Sequence, residues 1–357
     1  MQHSSSSPAP IIIGDAVADD FGENRVLIPP VSGALERPPS DQIWTLDGAS
    51  MGTTWQVRLI APAGAAQESY RTAIHEELDR VIALFSPWVE HSEITRFNTA
   101  PKGDIALSPD FYDLLSASLD LSDAVNGAVD PTLGALVDLW GFGPTGPSPS
   151  NAPIPSDGDI ALAQKISGRD KLSLNHDHRT AHQIGGLRLD FSGIAKGHAV
   201  DRVSDRLKAM GATSHLVEIG GELKGVGVKP DGQPWWVEIE AVEGTNVPRT
   251  VAALFDLAVA TSGDWRKSFT HDGIHYSHTI DGFSGRPVSN GVAQVTVFDA
   301  LAMRADTLAT AFTVLGPDAG LDMASAMGVA AHFILRTESG LSERYSPAYA
   351  AMMEDEA

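Results

Sequence analysis

Strand-like and helix-like segments follow one another along this chain without a regular strand–helix–strand beat. Residues 43–60 read as strand, turn and strand, with Asp47-Gly48 and Met51-Gly52 as breakers. Residues 67–85 carry Ile74, Leu78, Val81, Ile82 and Phe85 at helical spacing. A second helix is read over 111–125, with Asp110 near its start, and a third over 197–210, ended by Gly211. Short strands are expected at 187–191, 215–219, 235–240, 250–257 and 258–261. Residues 268–280 read as a hairpin around Asp272-Gly273, followed by a strand at 292–298 and a helix over 300–315. This irregular mixture points to an α+β fold rather than a doubly wound sheet.

Residues 1–42 are rich in Ser, Pro, Gly and Asp and read as a flexible or extended arm. One domain is expected over 43–345, and an acidic tail over 346–357. Beyond Gly316 a helix and a strand at 330–335 precede that tail. No apolar run approaches the ~18 residues of a membrane span, so no transmembrane segment is expected. The cluster Ile11-Ile12-Ile13 is too short for a signal-peptide core and lacks basic flanks.

The net charge of −21, from 46 acidic against 25 basic residues, repels a nucleic-acid backbone. The chain has no cysteine, which excludes disulfides, thiolate metal sites and cysteine nucleophiles at once. That composition suits an oxidising compartment.

Chemistry concentrates in a few places. Asp306 and Thr310 stand four residues apart on one face of the expected helix, and both offer the oxygen that a hard divalent cation prefers. Far upstream, Asp190-Phe191-Ser192-Gly193-Ile194-Ala195-Lys196-Gly197 runs from a carboxylate through a glycine turn to a lysine at the mouth of a helix. Such turns cradle anions, because a helix start presents open N–H groups. The spacing is not that of a P-loop. An oxygen-lined metal beside a phosphate-sized turn suggests chemistry on a phosphate ester or anhydride. Gly220-Gly221-Glu222 allows a close backbone approach. His271, His275 and His278 lie on the hairpin, where His275 and His278 face opposite ways, so a three-histidine zinc site is not expected. His278 within Tyr276-Ser277-His278-Thr279-Ile280-Asp281 is better placed as a base. Trp88 follows the end of a helix, where a ring can line a cleft.

The order of these segments resembles the ApbE-like FAD:protein FMN transferases. The resemblance covers residues 46–315. It runs through Met51-Gly52-Thr53-Thr54-Trp55, Phe85-Ser86-Pro87-Trp88, Ser92 to Asn98, Val129-Asp130-Pro131-Thr132-Leu133-Gly134 and Leu139 to Pro144. It continues through the Asp190 and Gly220 turns, Ala260-Thr261-Ser262-Gly263-Asp264-Trp265-Arg266, Tyr276 to Asp281 and Ala305 to Thr310. It implies two subdomains with mixed or antiparallel sheets and a flavin cleft between them. FAD would be the substrate, and Mg2+ would bridge its pyrophosphate. FMN would pass to a Thr or Ser hydroxyl of an acceptor redox protein, expected to be membrane-associated, and AMP would leave. Residue by residue, the resemblance implies Asp306, Thr310 and the Gly193 carbonyl as metal ligands. Met51, Trp88, Asp130, Asp190, Lys196 and Thr279 would line the FAD site, with His278 and Asp306 as catalytic groups. It places the work in the periplasm, with the cytoplasm as the alternative.

Two departures stand out. Trp88 occupies a position where the family often has Tyr, and Gly282-Phe283 follows Asp281 where a proline-led turn is common. A Mg2+-dependent FAD pyrophosphatase and a non-catalytic flavin carrier are the competing readings.

Overall fold

A computed structural model describes residues 24–30, 37–38, 40–146, 153–242, 247–265 and 267–353. The expected arm therefore lies largely outside the described residues, as do Glu354, Asp355 and Glu356 of the tail.

An eight-stranded sheet, antiparallel throughout, forms the centre. Its spatial order is Gly340–Tyr345, Ala330–Thr337, Val292–Asp299, Leu257–Gly263, Glu222–Val226, Ser214–Ile219, Thr53–Ile60 and Ile43–Ser50. Its middle strands, Ser214–Ile219 and Glu222–Val226, are buried at every residue because both faces are covered. Leu216 and Leu223 pack with Trp235, Val237 and Leu254 of a small sheet made by Arg25–Leu27, Thr250–Leu254 and Trp235–Ile239. Val217 and Ile219 point the other way, into the helices Gln67–Phe85 and Ala195–Ala209. The helix Ala302–Leu315 packs against Leu257–Gly263, Val292–Asp299 and Ala195–Ala209. The result is small sheet, central sheet and helices in three layers, an α+β architecture as expected.

The arm contributes one described strand, Arg25–Leu27, parallel to Thr250–Leu254. Arg25 makes a two-pronged contact with Glu343, at 2.7 Å to each carboxylate oxygen, which ties the arm to the opposite end of the chain. Among the described residues, no helix is long and apolar enough to cross a membrane.

Four details depart from the sequence reading. Strand Ile43–Ser50 runs straight through Asp47-Gly48, because Gly48 faces Trp55 and a Cβ there would come within 2.8 Å of the indole. The turn is at Met51-Gly52 alone, where both residues have positive φ, as a two-residue type I′ hairpin requires. Residues 187–191 form no strand beyond a single bridge from Arg188 to Leu133. Side-chain amides replace the missing ladder: Asn98 donates to the Leu189 carbonyl at 2.9 Å and accepts from its N–H at 2.7 Å. Residues 346–353 pack rather than trail. The Ser346 hydroxyl accepts from Ala331 N–H and donates to the Val329 carbonyl, and Tyr349 and Met352 enter the core. The helix Asp157–Ile166 and the strands Gly103–Ala106, Ser173–Asn175, Thr180–Gln183 and Gly340–Tyr345 are additional to the sequence reading. Asp110 lies in the first turn of the helix Pro109–Ala124, as expected, and Ser108 caps it.

Candidate active site

A cavity of about 320 Å³ opens between the layered body and a small apolar cluster of Leu133, Leu136, Trp140, Ile160 and Ile280. Met51, Asp130, Asp190, Gly193, Lys196, His278, Thr279 and Thr310 all stand on its wall. The sequence scatters these residues from one end of the domain to the other; the fold gathers them.

Met51 reaches the wall from the left-handed corner of its hairpin, a conformation that costs an unbranched side chain about 1 kcal/mol. Asp130 is held on both oxygens. Oδ1 accepts from Thr132 N–H at 2.8 Å and from its hydroxyl at 2.6 Å, and Oδ2 accepts from Arg169 N–H at 2.8 Å. Asp190 N–H donates to the Pro131 carbonyl at 2.8 Å, so the two carboxylate-bearing loops lie side by side. The Asp190 carboxylate accepts from Ser192 N–H at 2.8 Å and starts the turn. Desolvation pushes its pKa up, against the lowering effect of the Ser192 bonds.

Lys196 sits in the first turn of Ala195–Ala209 and pairs with Glu222, which is only 1% exposed. From the opposite helix, Thr310 lines the cavity with its hydroxyl 3.2 Å from Ser262 Oγ. Asp306 does not itself line the cavity. It lies just beneath, 4% exposed, with Oδ2 accepting from Gly197 N–H at 3.0 Å. Gly197 allows this close crossing: a Cβ there would stand 2.3 Å from the Ala302 carbonyl oxygen.

His278 enters at the end of the strand Ile274–Ser277. Its N–H and its Nδ1 both reach the Lys267 carbonyl, at 3.0 and 3.1 Å. A carbonyl only accepts, so Nδ1 carries the proton and the neutral ring has its lone pair on Nε2. Phe142 meets the ring edge-on, with centroids 6.3 Å apart. His271 and His275 are not on the wall, and among the described residues no three His, Asp or Glu side chains converge on a metal position.

The oxygens beside Asp306 are of another kind. The Thr310 hydroxyl lies 3.2 Å from Ser262 Oγ, a Cβ on Gly193 would be 3.3 Å from Thr310 Oγ1, and Asp306 stands one turn before Thr310 on the same helix. This all-oxygen donor set suits a hard cation such as Mg2+ and offers nothing to a soft one.

The match to the ApbE family spans residues 51–333 and takes in every wall residue named above. The chain belongs to the ApbE family. Among its curated relatives, the FAD:protein FMN transferase of Vibrio cholerae is 36% identical, over 87% of this chain and 92% of the relative. That of Haemophilus influenzae is 33% identical, over 88% and 92%. The crystal structure of the Pseudomonas stutzeri flavinyl transferase ApbE, apo form, superposes with a TM-score of 0.81 at 38% identity, over 89% of this chain and 98% of that one.

Relative to the expectation drawn from ApbE proteins, the structure does not bring Trp88 to the wall. The Ser92 hydroxyl donates to the carbonyls of Ser86 and Val89, closing the turn that carries Trp88, and the indole is left 66% exposed. Its neighbour Pro87 lines a small side pocket that meets the main cavity at Asp190. Conversely, Ser262, named from the sequence only within a motif, and Lys267, not named at all, line the cavity. The hairpin register was the available signal for Lys267: pairing Ser268 with Ser277 places 267 opposite 278.

Proposed function

We propose that this chain is an FAD:protein FMN transferase, moving FMN from FAD to a Thr or Ser hydroxyl of a redox protein and releasing AMP. The reading is supported most directly by one observation: Asp190, Lys196, His278, Thr279 and Thr310 share one cavity in a chain of the ApbE family. The acceptor oxygen attacks the FMN-side phosphorus of the pyrophosphate, the bond to the bridging oxygen breaks, and that oxygen leaves with AMP. A hydroxyl needs help to lose its proton, and Nε2 of His278 is the acceptor for it. Lys196 adds positive charge near the phosphates, while Met51 and Phe142 offer soft or flat surfaces to a ring system. Asp306, Thr310 and the Gly193 carbonyl would hold Mg2+, which when bound neutralises charge on the pyrophosphate. The acceptor is proposed to be membrane-associated and periplasmic, a compartment that a chain without cysteine suits.

The test is mass spectrometry of a Thr-containing acceptor domain incubated with this protein, FAD and Mg2+. A mass gain of one FMN that EDTA abolishes is the expected result. FMN and AMP released with the acceptor unlabelled would replace the transferase by a pyrophosphatase. FAD bound and left intact would replace it by a carrier.

A further inference from the structure

We propose that Lys267 is a second phosphate-binding cation of this cavity, engaging the FAD pyrophosphate alongside Lys196; the inference rests on the transferase reading. Lys267 lines the same cavity as Lys196, Asp190 and His278. The two ammonium groups differ in what they already hold. Lys196 is paired with the buried Glu222, so much of its charge is neutralised before any ligand arrives. Among the described residues no hydrogen bond or ion pair engages the Lys267 ammonium, and the residue borders both the cavity and solvent.

Its surroundings are arranged for an anion. Desolvation first, and the charge of Lys196 second, lower the Lys267 pKa, while Asp190 opposes them. Both line one cavity, so the two ammonium groups repel each other. A pyrophosphate between them converts that repulsion into two charge-assisted contacts. In a chain with net charge −21, two ammonium groups on one cavity run against the overall field, so the attraction for an anion is local.

The position of Lys267 is fixed by the group that fixes His278. The Lys267 carbonyl accepts from both the N–H and Nδ1 of His278, continuing the register of the hairpin. A phosphate held by this side chain is therefore held beside the imidazole. The anchoring is by main chain, so the side chain can be changed without releasing His278.

The experiment compares FAD and riboflavin binding to the full chain, by flavin fluorescence in the presence of EDTA, for wild type, Lys267→Met and Lys267→Arg. Riboflavin carries the ring system without any phosphate. Lys267→Met is expected to raise the Kd for FAD about tenfold and to leave that for riboflavin unchanged. Lys267→Arg is expected to stay within about threefold of wild type for both. The FAD difference should narrow as salt is raised. Unchanged FAD affinity in Lys267→Met, or an equal loss for both ligands, overturns the assignment, and an unchanged melting temperature shows the variant is folded. If wild type labels its acceptor while Lys267→Met keeps full FAD affinity, only the Lys267 assignment falls. If wild type neither binds FAD nor labels an acceptor, the transferase reading falls and takes this inference with it.

Discussion

Asp201 and Asp306 cap one another's helices. Asp201, on Ala195–Ala209, accepts from the N–H groups of Ala302 and Met303 at 3.1 and 2.9 Å, at the start of the opposite helix. Asp306, on that opposite helix, accepts from Gly197 N–H at the start of the first. Each carboxylate satisfies donors that a helix start leaves open. The two elements bearing Lys196 and Thr310 are thereby fixed in one orientation.

Asp201→Ala should be among the most destabilising single changes near the site. It opens the start of Ala302–Leu315 and strands Lys224, whose ammonium is 2.7 Å from Asp201 Oδ1 and largely buried. A loss of about 3 kcal/mol is expected in urea denaturation. A loss below about 1 kcal/mol would show that the capping is incidental.

Asp306→Asn separates the structural role of this carboxylate from its charge. The amide oxygen can still accept from Gly197 N–H, so melting should change little. FMN transfer should fall by roughly two orders of magnitude and need more Mg2+ to recover. Full transfer at ordinary Mg2+ would remove Asp306 from the metal site.

For His278→Ala, the expectation is a split between binding and chemistry. Transfer should drop by roughly 100- to 10,000-fold, the range for loss of a general base. FAD affinity should hold, since the change spares the lysines and the turn at Asp190. Transfer at the wild-type rate would exclude the base assignment.

His215 supplies a pH dependence unconnected with catalysis. It is fully buried, with Ser204 on Nε2 and the Ala212 carbonyl on Nδ1, and desolvation lowers its pKa from 6.5 to about 4. Between those values the unfolded chain binds a proton that the folded chain refuses. Stability is therefore full above pH 6.5 and falls as the pH drops towards 4, by about 3 kcal/mol in total. Urea titrations across that window should show a shallower slope for His215→Gln than for wild type; identical slopes would assign the acid sensitivity elsewhere.

Elements with strong periodicity and clear ends were legible in the sequence. Gln67–Phe85 has the expected limits, and the hairpin around Asp272-Gly273 lies where its turn signal put it. The failures share a cause: a local signal served a distant partner. Gly48 looked like a breaker but makes room for Trp55. Residues 187–191 looked like a strand, but their backbone is answered by Asn98 instead of a neighbouring strand. The helix Asp157–Ile166, absent from the sequence reading, did carry a local mark, the capping box of Ser156 and Asp159. At the site, motif order named segments from which the fold draws one cavity wall. Depth was not legible: nothing in the sequence distinguishes Asp306 beneath the wall from Thr310 upon it, or shows that Trp88 faces solvent.

The contact between Arg25 and Glu343 joins residues 318 positions apart. Its second partner lies on the edge strand Gly340–Tyr345, so closing it needs both ends of the chain in place, and a folding φ-value near zero is expected for Arg25→Ala. Contacts completed after the folding barrier do little to speed folding, but they must be broken on the way out. The clamp between the first described strand and the last is thus expected to act as a brake on unfolding, seen as faster unfolding of Arg25→Ala with refolding unchanged. Such a contact would lengthen the life of the folded enzyme rather than hasten its arrival.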